Sequence, residues 1–310
     1  MSVEAPAPPG AGRAEPRPAP GAADLLGARL APTRRAKNLV ATTCVWASVV
    51  VAAVPLAFVI ALVVKNGIGA MGAQFFTGNI PTTRSNATGM GPAILGTVMI
   101  TLAATLMAVP LGVLAAVYLN EYGRRSRTAT AVRFLANVMT GVPSIVMGLF
   151  VYTVWVLQFG QSAFAGALAL ACLMLPVVIR SSEEMLRLVP DDLRNASLAL
   201  GTRKSRMIVG VVLPSALPGL TSGALLSVAR AAGETAPLLF TIGALQTFNP
   251  NLFGGTNTAL PIQIYNGALS PFAGAHQRAW GAAFALIVIV LLFTVAARFV
   301  TTRFSTARRR

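Results

Sequence analysis

Between Arg133 and Arg180 the chain runs without one charged side chain, and that stretch restricts the fold more than any other. A membrane-crossing helix takes about 20 apolar residues, so residues 134–179 hold two crossings, with the polar turn at Gln158, Gly160 and Gln161 between them. The expected third span, 134–157, contains Gly141 and Pro143, which loosen a helix and turn backbone groups toward an interior path. Other spans are expected at 38–64, at 92–119 with a kink at Pro110, at 217–241 and near 280–298. The whole is read as an all-α polytopic membrane protein with six transmembrane helices. Composition agrees: 55% of the 310 residues are hydrophobic and 11% charged, more apolar than a soluble core of this length needs.

The net charge of +16 raises the question of nucleic acid, and its distribution answers it. Apart from Lys65, Arg84, Arg278 and Arg230, every Lys and Arg falls before residue 38, within 119–133, within 180–215 or from Arg298 onward. Basic residues beside alternate ends of the spans are a topology signal. They place both termini in the cytosol and require an even number of crossings. The domain plan follows: a Pro- and Ala-rich disordered cytosolic arm at 1–37, a transmembrane domain at 38–300 and a basic cytosolic tail at 301–310. The external side carries no Asp or Glu, and its polar segment 247–276 has an apolar part near 260–269 suited to the interface.

Residues 181–215 form a cytosolic loop. Ser181 and Glu184 read as a capping box opening a short helix that Pro190 ends, after a fourth span closing at Arg180. Asp191 or Asp192 is expected to cap a second helix with Leu193, Ala196 and Leu200 on one face and Gly201 at its C′ position. A third, 202–212, is expected to stop at Leu213-Pro214.

Arg230 stands apart, because it lies within an apolar span. A charge near the centre of such a helix costs roughly 2.5–3.5 kcal/mol on insertion scales and faces a bundle interior or wet cavity. Glu234, at i+4, shares its helix face and is expected to hold the guanidinium in a bidentate pair. Counted from Ala216 to Pro218, Arg230 falls near mid-membrane, with Gly233 and Pro237 weakening the helix around it. A planar guanidinium suits an oxyanion; a purely structural pair is the competing reading.

Catalytic motifs are lacking. No P-loop, zincin His-Glu-x-x-His or Gly-x-Ser-x-Gly elbow occurs, so the sequence gives no basis for an enzyme or for ATP binding by this chain. Cys44 and Cys172 read as small apolar residues, and the lone His276 builds no metal cluster with them.

Arg194-Asn-Ala-Ser-Leu-Ala-Leu-Gly201, nine further residues, then Val211-x-Leu213-Pro214 resembles the coupling loop of ABC importer permeases, with Gly201, Leu213 and Pro214 in register. Asn195 stands where that pattern has Glu, and Ser197 where it has Ala; Ala196 matches. Three other stretches, Gly89-Met-Gly-Pro-Ala-Ile-Leu-Gly-Thr97, Thr140-Gly-Val-Pro-Ser-Ile-Val-Met-Gly-Leu-Phe150 and Ala229-Arg-Ala-Ala-Gly-Glu-Thr-Ala-Pro-Leu-Leu-Phe-Thr241, resemble the PstA-type permease subunits of phosphate-specific ABC transporters. The resemblance covers roughly 38–300.

It implies a MetI-like permease fold in the inner, or plasma, membrane of a prokaryote, forming half of a phosphate path. It further implies a PstC-like sister permease, a PstB-like ATPase dimer that carries the ATP and Mg, and a PstS-like phosphate-binding protein. This chain would itself hold no cofactor. Path residues by this reading are Arg230, Glu234, Thr235, Arg180 and Ser144, and the ATPase-coupling residues are Arg194, Asn195, Ala196, Ser197, Gly201, Leu213 and Pro214. A snorkelling role for Arg180 and a packing role for Ser144 compete with these assignments. An ABC permease for sulfate or molybdate is the neighbouring expectation, and a membrane scaffold or sensor is the expectation from another class.

Overall fold

The computed structural model describes residues 32–81, 85–124 and 126–306. Most of the expected N-terminal arm, the last four residues of the basic tail and Arg84 therefore lie outside the described residues. The chain divides into two units, 1–58 and 59–310, with the boundary inside the first helix, α1 (Pro32–Gly67). In the first unit every side chain placed is exposed.

The second unit continues through short α2 (Ala73–Thr77) into α3 (Gly91–Val117), with Pro92 at its start and Pro110 inside it. Then come α4 (Arg127–Gly141), α5 (Ser144–Val151) and α6 (Ala163–Arg187). Next are α7 (Asp191–Ala199), α8 (Lys204–Met207), α9 (Leu213–Ala232) and α10 (Ala236–Thr241). The last two are α11 (Leu260–Ala268) and α12 (Ala273–Thr306). Among the described residues, five stretches are long and apolar enough to cross a membrane, Ala36–Ala70, Gly91–Tyr122, Ala163–Arg187, Lys204–Ala232 and Ala273–Ala296, and a bent pair of helices makes up to six.

The expected third span is not one helix. Arg127–Gly141 and Ser144–Phe159 meet at 107°. Pro143 excludes its neighbour from the helical region, and Val142 is extended at φ −72°, ψ 128°, so the chain turns sharply there. Arg127, Thr130, Arg133 and Asn137 keep the α4 limb polar, and the apolar limb is α5 and its continuation. The polar turn after it stands where the sequence put it: Gly160 has φ +82° and Ser162 caps α6 by accepting from the Ala165 amide at 3.2 Å.

Two further expectations change near the cytosolic loop. Helix α6 does not stop at Arg180 but runs to Arg187, so Ser181 and Glu184 are interior residues and open nothing. The third loop helix does not stop at Leu213-Pro214 either. A π turn, Ile208–Val212, widens the helix just ahead of Pro214 and α9 follows directly. Proline lacks an N–H and crowds the carbonyl four residues back, and a π turn is a recognised way to absorb such a defect within a helix. The α7 helix and its Gly201 stop, at φ +75°, are as read from the sequence, but neither Asp caps it: Pro190 is the N-cap residue, and Asp191 and Asp192 lie in the first turn.

Small residues let the helices approach closely. Ala104 and Ala108 of α3 and Ala167 and Ala171 of α6 lie in one buried cluster with Leu170, Met174, Val228 and Ile242. A Cβ added at Gly112 of α3 would lie 2.6 Å from the Val178 Cγ1 of α6, so only glycine permits this spacing. In the apolar part near 260–269, Leu260 and Ile262 are buried and the Leu260 amide donates to Thr97 Oγ1 at 2.8 Å, while Tyr265 and Leu269 are exposed.

Candidate functional site

Helix α9 places Arg230 in its last turn, where a cation is favoured by the helix dipole. The expected span 217–241 breaks there. The helix ends at Ala232, Gly233 caps it, and α10 restarts at Ala236 with Pro237 in its first turn. Glu234 therefore lies in the break rather than one turn along a continuous helix. Arg230 Nε and Glu234 Oε1 are 3.6 Å apart, a single ion-pair contact longer than a hydrogen bond, and not the bidentate pair expected. The Arg230 side chain is 75% exposed and that of Glu234 23%, which leaves the guanidinium open on the surface of this chain.

A cavity of about 20 Å³ lies behind the pair, lined by Leu173, Met174 and Val177 of α6 and by Ser227, Arg230, Ala231 and Glu234. Ser227, Arg230 and Ala231 follow helical spacing and mark one side of α9, and Glu234 joins them from the break. Thr235 follows in the break, and its carbonyl accepts from the Leu238 and Leu239 amides.

Ser144 lies on the neighbouring helix α5. It opens α5, which packs on α10 so tightly that a Cβ at Gly148 would lie 2.5 Å from Pro237 Cα. Ser144, one turn ahead of Gly148, shares the Gly148 side of α5. Arg180 is not brought in. It lies one turn beyond Val177, donates to Asn137 Oδ1 at 2.7 Å and pairs with Glu184 at 3.4 Å. It lines a second cavity of about 170 Å³ with Arg133, Asn137, Glu183, Glu184 and Arg187. There Arg133 (2.7 Å) and Arg187 (2.5 Å) both contact Glu183 Oε1, a cluster the sequence reading did not find because Arg133 lies 50 residues from Glu183.

The loop residues divide. Asn195, Ala196 and Gly201 are exposed, and Ser197, Leu213 and Pro214 are half-buried. Arg194 turns inward. It is buried at 6% exposure, and it donates to Glu121 Oε1, Asp191 Oδ1 and the carbonyls of Leu186 and Val189. The Asp191 carboxyl is held below the ordinary carboxylate range, chiefly by Arg124 and then by Arg194.

A family model described as "binding-protein-dependent transport system inner membrane component" matches residues 108–310. Over 87% of its length the chain is 47% identical to the phosphate transport system permease protein PstA 1 of Mycobacterium tuberculosis (strain CDC 1551 / Oshkosh), covering 91% of that protein. To the PstA of Yersinia pestis it is 41% identical over 86% of its length and 90% of that protein's. Among solved structures, an inward-facing MetNI methionine ABC transporter chain matches with a TM-score of 0.55 and 19% identity, over 69% of this chain and 93% of that one; the likeness is one of fold. The match to the family model and the extent of likeness to these permeases together make this chain a member of the binding-protein-dependent inner-membrane transport component family, in the group of PstA-type permeases.

Proposed function

We propose that this chain is the permease subunit of an ATP-driven phosphate importer, lining half of the path and coupling it to a separate ATPase. The observation that carries the reading is the Arg230 guanidinium, 75% exposed at a break in an apolar helix, in a chain 47% identical to a phosphate transport permease. A cation held by one long contact to Glu234 is free to exchange that partner for an oxyanion. Binding stays weak enough for release because the carboxylate remains beside it. Glu234 then restores the resting pair, Thr235 offers a hydroxyl at the same break, and Ser144 offers one from α5. Arg180, one turn away, serves the cytosolic end of the path.

On this reading residues 38–300 are the transmembrane domain, with the 1–37 arm and the 301–310 tail in the cytosol. Residues 181–215 dock the ATPase through Asn195, Ala196, Ser197 and Gly201, with Leu213 and Pro214 transmitting the motion into α9. Arg194 acts from inside the loop by holding its shape. The partners are a PstC-like sister permease, a PstB-like ATPase dimer that binds ATP and Mg, and a PstS-like phosphate-binding protein. The complex resides in the plasma membrane of a prokaryote.

Radiolabelled phosphate uptake into vesicles containing the reconstituted complex tests this. Arg230→Gln is expected to lower uptake at least about tenfold while the ATPase still co-purifies. Uptake near wild type would remove Arg230 from the path, and uptake of labelled sulfate or molybdate in place of phosphate would overturn the substrate.

A further inference from the structure

Arg278 is buried, at 4% exposure, in a part of the chain that carries no acid: no Asp or Glu occurs between Asp24 and Glu121 or after Glu234. Its Nη1 donates to the Ser85 carbonyl and, at 3.1 Å, to that of Ala87. Carbonyl oxygens accept hydrogen bonds but bear no formal charge, so these bonds leave the positive charge in place. Arg278 lines a cavity of about 130 Å³ with Gln246, Gln263 and Asn266. Gln263 and Asn266, three residues apart, share a face of α11. Gln263 Nε2 donates to Thr258 Oγ1 at 2.9 Å. The exposed side-chain amides of Gln246 and Asn266 bond no other described residue. Ala275, also on the wall, sits in the first turn of α12, the positive end of that helix's dipole.

Every group that faces this cavity is thus cationic, an amide or apolar, and the segments that line it contain no carboxylate to repel an anion. A water's share of liquid volume is about 30 Å³, so the space takes a four-oxygen anion that keeps part of its hydration. The charge distribution reads these segments as external, and along the chain only α10 and a few residues separate Gln246 from the break at Arg230. We propose that the cavity is a second oxyanion site, an antechamber that collects phosphate outside before it reaches Arg230. This rests on the importer reading given above. One cation with neutral amides around it raises the local anion concentration without the grip that would stop the ion from leaving, as a site on a path requires.

Arg278 also holds the 85–87 segment, so the test leaves it intact. Ala244→Cys puts a thiol on the wall at an exposed position without removing a donor. The assembled complex carrying it, in detergent, is treated with iodoacetamide across a range of inorganic phosphate, sulfate or chloride concentrations at equal ionic strength. Modification at position 244 is read by mass spectrometry. Phosphate is expected to slow it and chloride to leave it unchanged. Adding Gln246→Glu is expected to raise the half-protecting phosphate concentration about fivefold or more, the repulsion of two unit charges about 4 Å apart in water. Adding Arg230→Gln is expected to leave protection as it was. No protection by phosphate in a complex that takes up phosphate, equal protection by chloride, no response to Gln246→Glu, or loss of protection in Arg230→Gln each overturns the antechamber and leaves the importer reading standing. Protection by sulfate alone, in a complex that takes up sulfate, supports the cavity as an oxyanion site and overturns phosphate as the substrate.

Discussion

The Nη2 of Arg194 lies 3.0 Å from Oε1 of Glu121, a residue 73 positions earlier, and both side chains are more than nine-tenths buried. The contact ties α7, the middle of the cytosolic loop, to the π turn Tyr118–Tyr122 that ends α3. Arg194 also donates to the Leu186 and Val189 carbonyls at the end of α6. One guanidinium thus fixes α7 to two of the long helices, and a push on α7 is passed to both as a unit. Removing one partner of such a buried pair leaves an uncompensated charge and costs about 3–5 kcal/mol. Glu121→Ala and Arg194→Ala are each expected to lower the thermal midpoint strongly and to speed amide exchange across 191–201. Unchanged exchange in that segment would show that the pair does not hold α7.

The same cluster predicts a pH response. Asp191 bonds Arg124 at 3.1 Å and Arg194 at 2.9 Å, and these cations lower its pKa in the folded chain. A lowered folded pKa means its contribution is complete above the ordinary value of 3.8 and is lost as pH falls through the lowered one. Amide exchange across α7 should be insensitive to Asp191 protonation between pH 5 and 8, after correction for intrinsic exchange, and should rise only below about pH 4. Asp191→Asn should remove that acid step. A step centred near neutrality would assign the response to another group.

Gly201 stops α7 with φ +75°, a conformation that costs an L side chain roughly 1–2 kcal/mol. Gly201→Ala should destabilise the loop by about that much although nothing lies within 4 Å of the new Cβ. The cost is therefore conformational, and Gly201→Asn should recover part of it. Equal thermal midpoints for the Ala variant and wild type would contradict this.

These residues also show what the sequence disclosed. Gly201 was legible because a glycine just past a periodic helix is a local signal, as was the turn at Gly160. Arg194 was read as facing the ATPase, since nothing local reveals that its partner lies 73 residues away. Gly141 and Pro143 marked a weak point in the third span, but a weak point does not give the size of the bend, 107°. The end of α9 was missed for a related reason: residues 217–241 read as one apolar run, and hydropathy does not register a change of direction.

Leu200 is 87% exposed beside Gly201, and Leu193 and Leu198 are also exposed. Apolar side chains exposed on one short helix and its end favour a protein partner, in line with the docking role proposed for 181–215. Leu200→Asp should leave the stability of the permease within about 0.5 kcal/mol of wild type while reducing ATPase co-purification. Undiminished co-purification would move the docking surface elsewhere.

Gly148 and Pro237 set the spacing between α5 and the helix that restarts after Arg230. A Cβ at Gly148 would lie 2.5 Å from Pro237 Cα and 3.0 Å from Pro237 O, and backbone atoms cannot swing aside as a side-chain end can. Gly148→Ala must therefore push α5 and α10 apart, carrying Glu234 and Thr235, which join α10 to α9, with them. The expected result is a loss of stability of about 1–3 kcal/mol, as for overpacked cores, seen as a lower thermal midpoint, together with reduced phosphate uptake. Gly141 supplies the control: it ends α4 with nothing within 4 Å of an added Cβ and without a positive φ. Gly141→Ala should thus be neutral, or stabilising by a few tenths of a kcal/mol up to about 1 through the unfolded chain. If Gly141→Ala lowers uptake as much as Gly148→Ala, flexibility at the bend matters more than the close approach to Pro237, and the spacing argument fails.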